Sequence, residues 1–218
     1  MTLTEPVDWS SAEAAALDAL GCPADVQALL DATPYSTDPV YRCPRSVLRD
    51  RRAHCFDGAV LAAAAFRHLG LPPRIVDLRA WRDDDHVITV FQRDKAWGAV
   101  AKSNVVGLRW REPVYRSLRE LVMSYFDEYY NLEKLRALRA YSAPLDLSRY
   151  DRHAWCTDDA CMERIAAQLD RMRHTDLLSA AQVAALQPVD GRRFAAGLLG
   201  TEDAGLYKPW EHQDAGLV

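Results

Sequence analysis

One stretch of the chain is apolar around nearly its whole circumference. Residues 55–69, CFDGAVLAAAAFRHL, are rich in alanine, and Gly70 followed by Pro72 and Pro73 supplies a stop signal. The pattern predicts a buried helix with Cys55 in its first turn. Behind it the hydrophobic period changes. The runs RIVDLRA (74–80), HVITVF (86–91) and AWGAVA (96–101) are rich in β-formers and separated by charged turns, which predicts an antiparallel meander. Ahead of it, residues 11–20 and 24–30 read as two short helices, the first opened by Ser10 or Ser11 and the pair parted by Gly21, Cys22 and Pro23. Prolines 34, 39 and 44, with Ser36, Thr37 and Asp38, predict a surface loop over 33–44, placed to line a cleft. A further helix over 117–130 puts Leu118, Leu121, Val122, Tyr125 and Tyr129 on one stripe, the pattern of core packing.

Beyond Pro144 the texture turns polar, with two more helical stretches at about 158–173 and 179–186 and Pro188 after the second. The end of the chain, with Gly205, Pro209 and Gly216, has no clear period and reads as irregular or partly disordered. The division this predicts is a core with an N-terminal helical cap over 1–145 and a helical C-terminal extension over 146–218.

At 218 residues, 49% hydrophobic and 27% charged, the chain has the composition of a folded globular protein. Its net charge of -4 gives no global electrostatic reason to expect a nucleic-acid partner. The N-terminus carries Glu5, Asp8 and Glu13 and no basic region ahead of an apolar run, unlike a secretory signal, so a cytoplasmic location is expected. The longest apolar run, 59–66, is far shorter than a bilayer span requires. The five cysteines, Cys22, Cys43, Cys55, Cys156 and Cys161, are odd in number and scattered, which argues against a disulfide framework.

Candidate chemistry centres on Cys55. A thiolate in the first turn of a helix is favoured by unpaired N–H groups and the positive end of the dipole. Arg42, Arg45, Arg49, Arg51 and Arg52 stand against Asp50 alone just before it, which would favour the thiolate further. The bland reading of such a cysteine is a small buried hydrophobe. A thiol nucleophile needs a proton partner, and His86 is the best placed, opening a strand after the acidic turn Asp83, Asp84 and Asp85. His54 points elsewhere on the turn, His68 ends the same helix, and His153, His174 and His212 fall in the extension. A third group normally orients the imidazole, and the next strand offers no carboxylate; Asn104, or more weakly Ser103, is the candidate.

The run RRAHCFDGAVLAAAAFRHLGLPPRIVDLRAW, followed by DDDHVITVF and KAWGAVAKSN, resembles the transglutaminase-like superfamily of papain-type cysteine enzymes over about residues 45–130. The resemblance implies an α+β, papain-like fold: N-terminal helices, then a buried nucleophile helix packed on an antiparallel sheet, with the helical extension added. Carried over by position, Cys55 matches the nucleophile and His86 the base. The family's acidic residue falls on Ala101, so the triad is either re-formed through Asn104 or Ser103 or incomplete. The activity implied is attack on an amide, peptide or other acyl group, a thioester at Cys55, and transfer of the acyl group to water or an amine. The Cys55 N–H is the first oxyanion donor expected, with a second from the segment before the helix. Cys55, Phe56 and Asp57 also resemble the helix start of arylamine N-acetyltransferases, which would require acetyl-CoA. Ala101 equally suits a non-catalytic binding domain.

The weaker signals change little. His153, Cys156 and Cys161 offer three ligands without the second pair that zinc modules show, so no metal site is expected. Arg109, Arg111, Arg116 and Arg119, mixed with Glu112 and Glu120, read as a solvated face. Were they to join the first arginine run beside Cys55, the peptide, protein or small-molecule acyl substrate would be acidic or phosphorylated. Trp81, Trp97 and Trp110 read as packing residues. No cofactor, nucleic acid or membrane is expected as a partner.

Overall fold

The computed structural model describes residues 7–211; His212 and Gly216 lie outside them. Four helices come first. α1 (Ser11–Asp18) opens with a capping box in which Ser10 and Glu13 satisfy each other's backbone N–H groups. α2 (Pro23–Ala32) has proline at its first position, where a missing N–H costs nothing. α3 (Pro44–Asp50) starts the same way, inside the basic run, and ends at Arg51 in the left-handed region, φ 52°. α4 (Cys55–His68) is the apolar helix, with residues 56–66 all buried.

The meander follows as β1 (Arg74–Ala80), β2 (His86–Arg93) and β3 (Ala96–Val100). β2 and β3 are joined by Asp94 and Lys95, with φ of 51° and 67°, the doubly left-handed turn that matches the strands' twist. β4 (Arg111–Tyr115) and the short α5 (Leu118–Met123) come next. α5 stops well before residue 130: beyond it the N–H groups of Tyr125, Phe126 and Glu128 reach carbonyls only three residues back, although Ser124 itself still donates to the Glu120 carbonyl. The Ser124 hydroxyl donates to the Leu121 carbonyl and accepts from Arg111, whose guanidinium also takes the Ser124 carbonyl. Tyr125 and Tyr129 are nonetheless fully packed in the core.

Residues beyond 137 add β5 (Leu138–Ser142), β6 (Leu145–Asp146), α6 (Met162–Arg171), β7 (His174–Asp176), α7 (Ala180–Ala184) and α8 (Gly191–Gly197). The antiparallel sheet runs β4-β3-β2-β1-β5-β7, with β6 pairing β1. The later residues thus complete the sheet and the core: Met162, Ile165 and Leu169 of α6 pack with Phe56, Val60, Ile75 and Val87.

Strand alternation sorts the sheet into two faces. Ile75 and Val87 face α4, and the Thr89 hydroxyl on that side donates to the Ala59 carbonyl at 2.7 Å. Val76, Leu78, Ile88, Val90 and Ala101 face the other way, onto Leu108, Tyr125 and Tyr129. His86 has the parity of Ile88 and Val90, so it lies on the face opposite α4. Among the described residues no helix is long and apolar enough to cross a membrane.

Candidate active site

The approach to α4 is built by two loop segments laid side by side. Tyr35 bridges Ala53, the Ser36 N–H donates to the Ala53 carbonyl at 3.0 Å, and the Ala53 N–H donates to Pro34 at 3.2 Å. Asp57, wholly buried in the first turn of α4, accepts from the backbone N–H groups of Arg42 at 2.8 Å and His54 at 3.4 Å. The His54 imidazole in turn accepts from the Asp57 N–H as the helix cap. These bonds fix Tyr35, Tyr41 and His54 around the exposed side of Cys55.

Cys55 is half-buried where β2 begins. Its Sγ lies 3.7 Å from the Asp85 carbonyl oxygen, and the N–H groups of Val87 and Phe56 point toward it. The thiol is pushed up to about 12, first by burial and then by Asp84 and Asp57, which outweigh the two N–H groups. The helix address therefore does not produce a resting thiolate, and the arginine run does not help. Arg42 is buried and paired with Asp38, Asp50 and Asp57, Arg45 with Glu13, and Arg49 with Asp50.

His86 is 4% exposed. Its Nε2 lies 2.9 Å from the Leu108 carbonyl oxygen, so Nε2 carries the proton and Nδ1 is the nitrogen left to accept one. Tyr129 stands edge-on to the ring, with centroids 6.3 Å apart, and its hydroxyl donates to the Asp84 carbonyl. Burial, reinforced by Arg111, pushes the imidazole down to about 4 against the Leu108 bond. Thiol and imidazole line one small cavity, and among the described residues no hydrogen bond joins them.

The two candidate orienters bond elsewhere. The Asn104 amide donates to the Glu202 carbonyl and accepts from the Glu202 N–H, both at 2.9 Å. The Ser103 hydroxyl accepts from the Val105 N–H at 3.1 Å. Both line the cavity that holds Cys55 and His86, but the hydrogen bond of His86 goes to a main-chain oxygen, that of Leu108, which no residue-type pattern could reveal. Ala101 is fully buried, and its backbone pairs with the Gln27 amide in both directions at 3.0 Å. Lys102 next to it runs under Gly58 to donate to the carbonyls of Leu30 and Thr33 at the end of α2. The departing end of β3 is thereby committed to docking α2.

A larger cavity of about 520 Å³ opens on the α4 side of Cys55. Its walls carry Asp77, Asp84, Asp85 and Asp170, and burial raises Asp85 to about 6. These carboxylates, and not the arginine run, line the cavity beside Cys55. Asp77 is held by His174, whose Nε2 lies 2.8 Å from Asp77 Oδ2 and whose Nδ1 lies 2.8 Å from the Met172 carbonyl oxygen. His174 is thus not peripheral. It joins β7 to β1 across the cavity wall, a pairing over 97 positions that only the fold displays.

Cys43, Cys156 and Cys161 are buried in the same apolar cluster as Phe56, and His68 pairs with Asp18 at 2.9 Å on the surface. Among the described residues no group of three metal-binding side chains is gathered. Residues 24–112 match the family model of the transglutaminase-like superfamily. No curated protein matches the chain.

Proposed function

We propose, from the premise that the chain carries a transglutaminase-like domain over residues 24–112, that it is a cysteine enzyme of acyl chemistry. The substrate is an amide, peptide or other acyl compound, the nucleophile Cys55 and the base His86. The observation that carries this reading is the opening of both residues onto one cavity, with His86 Nε2 tied to a carbonyl and Nδ1 left as acceptor.

With the thiol pushed up and the imidazole pushed down, the resting pair is neutral. Sγ then attacks the acyl carbon as its proton passes to His86 Nδ1, and the imidazolium gives that proton to the leaving group. The oxyanion meets the free N–H of Cys55 at the helix start. Tyr35, whose buried hydroxyl stays protonated well above the usual range, lines the cavity beside Cys55 and serves as the second donor. The carboxylate walls favour a neutral or cationic substrate.

The test is acylation with p-nitrophenyl acetate followed by peptide mass spectrometry. Expected is an acetyl group on Cys55, absent in Cys55→Ala and slowed about 10²–10⁴-fold in His86→Gln. Acylation that ignores both substitutions would overturn the reading. The neutral pair and Ala101 equally suit a non-catalytic binding domain, and no acylation of Cys55 by any acyl donor would favour that.

A further inference from the structure

Among the described residues the His86 imidazole makes one hydrogen bond, and its acceptor is a peptide oxygen in the segment 105–110 that leads into β4. A carboxylate in that role would turn on its own side chain to meet the ring. A peptide carbonyl has no such freedom. Its aim is the aim of the segment that carries it, so whatever fixes that segment also orients the imidazole.

The segment is held by its carbonyls. Four in succession are each taken by a side chain: Gly107 by Arg111 Nη2 at 2.8 Å, Leu108 by His86 Nε2 at 2.9 Å, Arg109 by the Tyr125 hydroxyl at 2.8 Å and Trp110 by Arg111 Nη1 at 2.9 Å. Arg111 thus brackets the Leu108 carbonyl from both sides. Its own backbone is fixed opposite Ala99 in the pairing of β4 with β3. The rest of its fork reaches the Ser124 hydroxyl and carbonyl, and its guanidinium carbon lies 3.9 Å from the centroid of the Tyr125 ring. Gly107 adds a close approach to the residues after α5. A Cβ on it would stand 2.4 Å from Glu128 Cβ, so the segment lies this low only with glycine there. The sheet is therefore tied to the imidazole through one planar side chain and one peptide oxygen.

We infer that Arg111 is the positioning residue of the base: by clamping the carbonyls on either side of Leu108 it holds the Leu108 oxygen on His86 Nε2 and leaves Nδ1 free to take the Cys55 proton. This rests on the reading of Cys55 and His86 given above. Arg111 acts through the segment and takes no proton itself. Its charge also bears on the ring, since a cation nearby disfavours the imidazolium. The fork and the charge therefore have to be separated. Lysine does so, because it keeps the positive charge and loses the planar set of donors that serves several carbonyls at once.

The first measurement needs no activity. In protein labelled with [15N]histidine, NMR at neutral pH reads the Nε2–H proton of His86 and its exchange with water. It compares the wild type with Arg111→Lys, Arg111→Met and Tyr125→Phe, the last of which releases the Arg109 carbonyl and alters no charge. The Nδ1–H of His174, directed at the Met172 carbonyl on the strand at the opposite edge of the sheet, is the internal control. Exchange at His86 should quicken about tenfold or more in both Arg111 variants and about two- to tenfold in Tyr125→Phe, with His174 unchanged. Should Arg111→Met fail to fold, the two gentler variants carry the comparison. Equal quickening at both rings would mean general loosening, and a lysine variant that matches the wild type would mean that charge alone matters; either result overturns the proposal. The second measurement is the rate of Cys55 acetylation by p-nitrophenyl acetate. It should fall about 10–100-fold in Arg111→Lys and Arg111→Met, the usual cost of releasing the partner of a functional imidazole. Unchanged acetylation beside a loosened ring would overturn the positioning role. Absence of acetyl-Cys55 even in the wild type would overturn the acyl reading, and the catalytic part of Arg111 with it, while the exchange at His86 still decides whether Arg111 holds the ring.

Discussion

Cys55 should behave as a protonated thiol across the physiological range, against what its helix address alone suggests. The perturbation is a pH series. An ordinary cysteine titrates at about 8.5, and each unit of displacement changes the thiolate fraction tenfold. With the thiol pushed up to about 12 by burial and by Asp84 and Asp57, the thiolate fraction near neutrality is about a thousandfold or more below that of a free thiol. The assay is the rate of iodoacetamide labelling at Cys55, read by peptide mass spectrometry between pH 6 and 10. The same peptide in the urea-unfolded chain is the control. The folded protein should lag the control at every pH and gain about tenfold per unit through pH 10 without a plateau. His86→Gln should leave this unchanged, because a neutral imidazole holds no thiolate. A plateau below about pH 8, or labelling faster than in the unfolded chain, would refute the reasoning. It would mean that a thiolate–imidazolium pair forms despite the desolvation of both groups.

The same burial makes a prediction about stability. His86, held at about 4 when folded against about 6.5 unfolded, favours the neutral form. Its contribution is present above about pH 6.5 and is lost as pH falls toward 4. The denaturation midpoint of the wild type relative to His86→Gln should therefore improve from pH 4.5 to 7, and a constant difference would contradict it. Gly58→Ala would bring a Cβ to 2.2 Å from Lys102 Cβ and should destabilise by about 1–3 kcal/mol in urea unfolding; a neutral or stabilising result would show that β3 yields at no cost. His174→Ala, which strands the buried Asp77 carboxyl, should cost about 3–5 kcal/mol. Asp77→Asn keeps a hydrogen-bonding partner and should cost clearly less by thermal melting, so equal losses would argue against the charge as the cause.

Residues 55–68, 74–80, 86–93 and 96–100 fall in the elements expected to within two positions, because each carries its own period and its own stop. α3 has no hydrophobic period of its own inside the arginine run, and the proline at its first helical position reads in sequence as loop punctuation. β5 and β7 carry little pattern of their own, since each is stabilised by a partner strand far away in sequence. The stripe of Leu121, Val122, Tyr125 and Tyr129 predicts a longer α5 than forms, because these residues are buried either way. After Ser124 the N–H groups of Tyr125, Phe126 and Glu128 turn to carbonyls three residues back, a tightening invisible to periodicity.

What the sequence by itself determined is local. Cys55 opens a buried helix and His86 opens the strand beside it. Tertiary structure decided how these groups are charged and what surrounds them. Four of the five arginines that look poised to activate Cys55 are paired with Asp38, Asp50, Asp57 or Glu13. The cleft carries aspartates instead, and burial sets both members of the pair neutral. The Leu108 carbonyl on His86 and the Glu202 backbone on Asn104, 22 and 98 positions away, are main-chain groups common to every residue type. Charge and dipole arguments made along the chain hold only where water remains around the group. In a folded interior desolvation and the actual neighbours outweigh them, and both are properties of the packed molecule.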